Sequence, residues 1–345
     1  MNPLLVKPVA FKTSGPVNQI ERPLLARVAE SVYWCARYVE RAEHIARVAL
    51  VTGQVGMDTG DLEPQLRDRL WLGALEALEL GHLAESDSAR PPELVMEGLL
   101  NPDQPGSITS CITAARDNAR SVRGEISNEM WQVLNELYWN LRDDDLPADR
   151  SRRAADQRTS DEFFQHLIRG SLLFQGVTDQ TLAHGQRWNF AIAGRMLERA
   201  DATCRIIGAR SRFLADAGDR METPLRNIHL MAALRMCGCL EAYRRQHHNR
   251  LDVQQVAGFT LLQADNPRSV RHAVEQAHQA VERIADSSGV VGVDQTERVL
   301  GRLVARLEYA EVDDIAIEGA ESFLAEVRRV VSQANEALHR RYFMG

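Results

Sequence analysis

The sequence of 345 residues predicts an all-α fold, an internally duplicated bundle of long helices with no sheet. In the stretch 25–51, apolar and small residues follow one another three or four positions apart, which keeps them on one face of a helix. No stretch of any length alternates apolar and polar residues as a strand does. A charged block also occurs twice, 158 residues apart (195 − 37), as Arg37-x-x-Glu40-Arg41-Ala42-Glu43 and Arg195-x-x-Glu198-Arg199-Ala200-Asp201.

The first half of the chain is expected to follow a flexible leader, residues 1–22, which holds three prolines and shows little periodicity. The central helix over 25–51 comes next, and an amphipathic helix is predicted over about 62–81. Beyond a loop rich in proline, the apolar spacing predicts one continuous helix over 107–141. The charged, proline-interrupted segment 142–158 is predicted to be a linker.

The second half repeats these landmarks. A serine follows an Asn-Pro loop in each half, at Ser107 and at Ser269, and it lies 70 residues beyond the charged block in the first half (107 − 37) and 74 in the second (269 − 195). The same order at nearly the same interval predicts two related halves, 24–175 and 176–341, packed as one body. The helices predicted here cover about 160–176, 181–214, 223–246, 251–263, 268–285, 294–310 and 316–341.

Composition excludes several classes of function. A net charge of −7 argues against general nucleic-acid binding, and no apolar run approaches the length that crosses a bilayer. The odd number of cysteines, five, indicates free thiols and a cytoplasmic location. The only lysines are Lys7 and Lys12 in the leader, so the folded body offers no P-loop or Schiff-base lysine. No cofactor is predicted.

The repeated charged block is the candidate site, and it has three interpretations. The residues can be solvated helix pairs, a buried network that joins the two halves, or a ligand site in which arginine forks bind a carboxylate or phosphate. Because the helix is apolar around most of its circumference, Glu40 and Glu198 are predicted to be buried and bonded to arginines. They are the candidate catalytic residues, as bases or orienting groups. The candidate substrate-binding residues are Arg37, Arg41, Glu43, Arg47, Arg195, Arg199, Asp201 and Arg205.

A metal site that uses the paired carboxylates is an alternative. Glu40 and Glu43 lie one helical turn apart, as do Glu198 and Asp201, a spacing that suits Mg²⁺ or a di-iron centre. Two features argue against it: the histidine near the first pair has no counterpart in the second, and the interleaved arginines compete for the carboxylates. No bound metal is predicted.

Four strings resemble the alpha-E family of bacterial all-helical proteins: LARVAESVYWCARYVERAE (25–43), FQGVTDQTL (174–182), WNFAIAGRMLERAD (188–201) and NPRSV (266–270). The resemblance implies a genomic setting beside a circularly permuted ATP-grasp protein and a transglutaminase-like protein. It therefore implies a component of a system that forms amide bonds or modifies peptides, acting on a peptide or small-molecule substrate. The alternatives are a non-catalytic helical adaptor for the ligase and a metal-dependent enzyme.

Overall fold

The computed structural model describes residues 24–60, 64–82, 96, 98–142, 157–217, 222–248, 250–287 and 295–344. Helices joined by turns make up these ranges, which contain no strand, so the predicted all-α class is confirmed for the part of the chain described. The first helices are α1 (Ala26–Gly60), α2 (Pro64–Ala77), α3 (Ile108–Ser121), α4 (Asn128–Arg142), α5 (Gln157–Thr181) and α6 (Gln186–Ala217). The remaining ones are α7 (Thr223–Met236), α8 (Leu240–His247), α9 (Val253–Leu261), α10 (Val270–Ser287), α11 (Gln295–Tyr309), α12 (Val312–Glu318) and α13 (Ala320–Tyr342).

The leader at 1–22 and nearly all of the predicted linker at 142–158 lie outside the described residues. The predicted boundary between residues 175 and 176 falls inside α5, which is one continuous helix to Thr181. A boundary in the turn at 182–185 would leave α5 whole. Across the described ranges, no helix combines the length and the apolar character needed to cross a membrane.

Helices α1 and α6, which carry the repeated block, form the centre of the bundle and run parallel to each other. Contacts between them advance in step along both helices, from Tyr33 with Gly194 to Arg37 with Glu198. Each central helix has its own partners: α1 packs against α3 and α5, whereas α6 packs against α10 and α13. The outer contacts also correspond, because α4 joins α3 to α5 as α11 joins α10 to α13.

This matching packing agrees with the predicted duplication, and both predicted serine landmarks are helix starts. The Ser107 side chain accepts a hydrogen bond from the backbone N–H of Ser110, and Ser269 does the same for His272, as N-cap residues do. Superposition of the two halves stays a prediction.

The prediction of one helix over 107–141 is wrong. The chain turns at residues 122–127, so that α3 and α4 pack against each other as separate helices. Ser127 caps the start of α4 by accepting a hydrogen bond from the Met130 N–H. The apolar spacing continued through the turn because Val122 and Ile126 are buried there as well, and the pattern did not distinguish a buried turn from a helix.

The helix predicted over 223–246 is also broken, into α7 and α8. Gly238 lies at the break with φ of +72°, a left-handed conformation that glycine adopts without steric cost. The Cys239 N–H bonds to the Leu234 carbonyl across this turn, so that this carbonyl at the end of α7 has a backbone partner.

Gly194 sets the distance between the two central helices. A Cβ atom built on it would lie 2.3 Å from the backbone carbonyl oxygen of Tyr33, and a backbone atom in mid-helix cannot move aside as a flexible side chain can. Any side chain at this position must therefore push α1 and α6 apart.

We expect Gly194→Ala to lower the free energy of unfolding by about 2 kcal/mol, because overpacking a tight helix contact separates the helices. Gly208→Ala is the matched control on the same helix, since its nearest neighbour, a Leu324 methyl group, lies 3.5 Å away. The control should be neutral or slightly stabilising, because alanine favours helix over glycine. Urea unfolding of the two variants measures this, and equal stability would contradict the close approach.

Arg210 and His229 are buried polar residues where α6 meets α7. Arg210 donates only to the sulfur of Met236, at 3.4 Å, and no carboxylate of the described residues lies within salt-bridge distance. His229 is fully buried and neither ring nitrogen has a hydrogen-bond partner in the described part of the chain. Burial, with a further contribution from the charge of Arg210, lowers the pKa of His229 to about 4, so its ring is neutral at pH 7.

This shift predicts a loss of stability in mild acid. The unfolded chain takes up a proton at His229 near pH 6.5, and the folded chain does so only near pH 4. Stability therefore falls as the pH drops through this window, by up to about 3 kcal/mol. Urea midpoints of wild type and His229→Leu across the same window test the effect. A wild-type slope that His229→Leu does not reduce would contradict it.

Candidate functional site

Two crossed arginine–carboxylate pairs join the central helices. Arg41 on α1 donates through Nε and Nη2 to the two carboxylate oxygens of Glu198 on α6, at 2.5 and 2.9 Å. In return, Arg199 on α6 donates through Nε and Nη2 to the two oxygens of Glu40, at 2.7 and 2.9 Å. The same atoms make the same bidentate contact in both directions, which is the strong geometry for an arginine–carboxylate pair.

The Glu40 side of the network contains further groups from α1 itself, from α5 and from the turn before α10. His44 Nε2 lies 3.1 Å from Glu40 Oε1, and the Gln175 amide on α5 donates to both Glu40 and Glu43, at 2.8 and 2.9 Å. Arg47 and Arg268 both donate to Oε1 of Glu43, at 2.8 and 2.7 Å. Glu43 is fully buried, so these two guanidinium groups compensate its charge.

The Glu198 side is built from other residues. Arg37 donates to Glu198 at 2.8 Å, and its Nη1 also donates to Tyr33 Oη and to Asn335 on α13. One turn along α6, Arg205 donates to Asp201 at 2.8 Å, as Arg47 does to Glu43.

Arg195 departs from the repeated pattern. Its counterpart Arg37 bonds to the glutamate of the opposite helix, but Arg195 instead lies 3.6 Å from Asp179 on α5. Its Nε is buried and has no hydrogen-bond partner among the described residues. Burial, together with the neighbouring charge of Arg199, lowers the pKa of Arg195. The structure thus brings nine of the ten candidate residues into the network and leaves Arg195 at its edge.

The central carboxyl groups are ionised. Burial raises the pKa of a carboxyl group, but Arg41 and Arg37 outweigh it and hold the pKa of Glu198 at about 2. At Glu40 burial acts in the same direction, and Arg199 with His44 overcomes it, so this pKa lies well below the ordinary value. The prediction that both glutamates are buried and bonded to arginines is confirmed, because both are 0% exposed.

Sequence reasoning missed five network residues: Tyr33 on α1, and Gln175, Arg268, Arg328 and Asn335 outside the two central helices. Two of them did carry a signal. Gln175 and Arg268 lie in the strings 174–182 and 266–270, which stood out without an assigned role.

The hydrogen bonds of the network occupy the carboxylate oxygens that a metal site would need. Glu40 and Glu198 each use both oxygens on arginine donors, and Glu43 accepts from Arg47, Arg268 and Gln175. Within the described ranges, no three or more His, Cys, Asp or Glu side chains are grouped as metal ligands.

A family model described as a predicted alpha-helical domain with a conserved ER motif matches residues 24–343. The chain belongs to the Alpha-E family. It has a Glu-Arg pair on each central helix, at 40–41 and 198–199, and these pairs form the crossed contacts.

Proteins with similar sequences include uncharacterized proteins of Mycobacterium bovis and Mycobacterium tuberculosis. They are 25% identical over 342 residues, covering 94% of this chain and 37% of each relative. The Alpha-E chain therefore spans little more than a third of the relatives it matches. No solved structure matches it significantly.

The charge balance indicates what the Alpha-E network can bind. Seven arginines of the network surround five carboxylates, which leaves an excess of two positive charges in a largely buried site. These arginines are Arg37, Arg41, Arg47, Arg199, Arg205, Arg268 and Arg328, and the carboxylates are Glu40, Glu43, Glu198, Asp201 and the exposed Glu79. Guanidinium groups fixed by buried carboxylates suit a planar carboxylate or a phosphate.

We expect Glu198→Gln to destabilise the fold by about 3 kcal/mol, because it leaves Arg37 and Arg41 as buried, uncompensated charges. Glu326→Gln is the control: its partners Arg306 and Arg329 are partly exposed on the surface, where removing a charge has little effect. Chemical unfolding at pH 7 compares the two variants. If Glu198→Gln were as stable as the control, the network would not be the buried unit described.

Proposed function

We propose that this chain is the helical component of an ATP-grasp-linked system that forms amide bonds or modifies peptides in the cytoplasm, and that its arginine–glutamate network holds the acidic group of the substrate. The observation that carries the proposal is the excess of arginine over carboxylate in a network shared by two parallel helices. A site of this kind selects a carboxylate or phosphate and holds it in a fixed orientation.

The chemistry suits amide formation. An ATP-grasp partner would convert a substrate carboxylate into an acyl phosphate, and an amine would then displace the phosphate. The folded body of this chain has no lysine for a P-loop, so nucleotide binding falls to the partner. The arginines of the network would bind the anionic group before and after activation, and they would stabilise the charge that develops on its oxygens.

We assign Glu40 and Glu198 a positioning role. A general base must reach the proton it removes and must have a pKa near the working pH. Both glutamates are fully buried, fully bonded and held at low pKa, so neither meets these conditions in this conformation. Their geometry instead holds three guanidinium groups by hydrogen bonds, those of Arg37, Arg41 and Arg199.

The length of the relatives agrees with joint action. In the mycobacterial proteins the matched part is 37% of the polypeptide, so this helical body occurs there within a longer chain. A helical body that works beside another catalytic unit would benefit from such a covalent connection, since the connection raises the effective concentration of each unit for the other.

The second candidate is a non-catalytic adaptor that docks the ligase on its substrate. The burial of the network favours it, because most of its side chains are satisfied within the protein, where they lock the two central helices together. In this case the chain would bind the ATP-grasp partner and would leave the chemical step unchanged.

The test is reconstitution with the neighbouring ATP-grasp protein, measuring ADP release and amide product by mass spectrometry. Product should require this chain, and Arg41→Gln should lower the rate at least about tenfold, because Arg41 is the most exposed of the arginines that contact Glu40 or Glu198. That variant should fold, since Glu198 keeps Arg37 and Arg205 as partners. The control is Arg329→Gln, which removes an exposed arginine.

Three outcomes separate the candidates. Product formation without this chain would overturn the proposal. If the chain is required and Arg41→Gln retains the wild-type rate, the adaptor is the better description, and a pull-down of the partner should then account for the requirement. A rate loss in Arg41→Gln with unchanged binding of the partner supports the substrate site.

A further inference from the structure

The two crossed pairs differ in how far their arginines are covered. The Arg199 side chain is only 6% exposed, and its Nη1 donates to the backbone carbonyl of Pro267 at 3.1 Å. The Arg41 side chain is 27% exposed, and its Nη1 has no hydrogen-bond partner in the described part of the chain. The Glu198–Arg41 end is therefore open where the Glu40–Arg199 end is closed.

The residue before each N-cap serine accounts for this difference. In the second half, Arg268 precedes Ser269, and its guanidinium lies over the closed end, 2.7 Å from Glu43 and 3.6 Å from Glu40. In the first half, Gly106 takes that place before Ser107, and no atom lies within 4 Å of the position its Cβ would occupy. At the open end, Arg328 on α13 takes the contact with the second carboxylate, Asp201, but among the described residues no arginine from outside the two central helices contacts Glu198 as Arg268 contacts Glu40.

The surroundings of Arg41 favour an anion. Among the described residues, Glu198 is the one carboxylate within salt-bridge distance of Arg41. Arg37 and Arg205 approach the same carboxylate, Glu198, from within the network.

We propose that Arg41 at this open end binds the carboxylate or phosphate oxygens of the substrate, and that Arg199 is its structural counterpart. Arg41 keeps Nε and Nη2 on Glu198, which fixes the guanidinium plane, and it presents Nη1 outward to the ligand. Glu198 is then a positioning residue. The identification of the ligand as the substrate's acidic group rests on the proposed function, whereas the binding of an oxyanion does not.

The repeat supplies a matched pair of variants for the isolated full chain. Thermal unfolding is followed with inorganic phosphate or acetate added against chloride at constant ionic strength, which removes general screening. Wild type should gain about 2 °C in Tm when the anion exceeds its Kd about tenfold. Arg41→Gln and Arg199→Gln each remove the same bidentate contact and should both lower the starting Tm, but only Arg41→Gln should lose the response.

A second pair does not disturb the network. Gly106→Arg restores at the open end the arginine that the closed end has, and it should abolish the anion response. Gly106→Ala is its control, because both variants carry the same strain at a φ of +80° and alanine is too short to reach Arg41. The alanine variant should keep the wild-type response.

The outcomes are decisive. The proposal is supported if Arg41→Gln and Gly106→Arg lose the response while Arg199→Gln and Gly106→Ala keep it. A response to phosphate alone identifies a phosphate or acyl-phosphate group, and a response to acetate as well identifies a carboxylate. No response in wild type, or equal losses in Arg41→Gln and Arg199→Gln, would overturn it. If the response follows this pattern and no amide product forms in the reconstituted system, the binding site stands and the proposed function fails.

Discussion

The structure depends on two carboxylates, Glu40 and Glu198, that are fully buried where the central helices meet. A buried carboxylate is costly unless opposite charge and hydrogen bonds compensate it, and here the compensating arginine comes from the other helix. Each helix therefore needs its partner in one register only. Gly194 permits the backbone approach at which the arginine side chains span the gap. A slip of one residue would turn the charged strip away and leave all of these groups unpaired.

The network does not have to supply the net stability of the fold. Buried ion pairs often contribute no more than apolar residues of the same volume would, because desolvation offsets the attraction. The apolar faces of α1 and α6, packed against α3, α5, α10 and α13, provide the hydrophobic driving force. The ion pairs make one arrangement of the two helices more favourable than the alternatives, because only the parallel arrangement in this register pairs all the charges. They also hold several guanidinium planes rigidly, which a site for a planar acid requires.

The sequence was sufficient to predict the features that depend on local pattern. An apolar spacing around most of a helix indicated that α1 and α6 are central, and it implied that the charges between the apolar faces must turn inward. The turn at 122–127 was missed because its apolar residues continue the helical spacing. The partners Gln175, Arg268 and Asn335 were missed because pairing across more than a hundred residues depends on how the helices pack, and one sequence contains no direct record of that.

The departures from the repeat are the best guide to what the site does. Two helices that only needed to hold each other could keep the same contacts at both ends. Here the crossed pairs use identical atoms, yet Arg37 binds Glu198 while its counterpart Arg195 turns to Asp179. Arg268 covers the Glu40 end, and the residue in its place at the other end is a glycine. The closed end suffices to fix the register of the two helices, so the open end is free to present an arginine to a ligand.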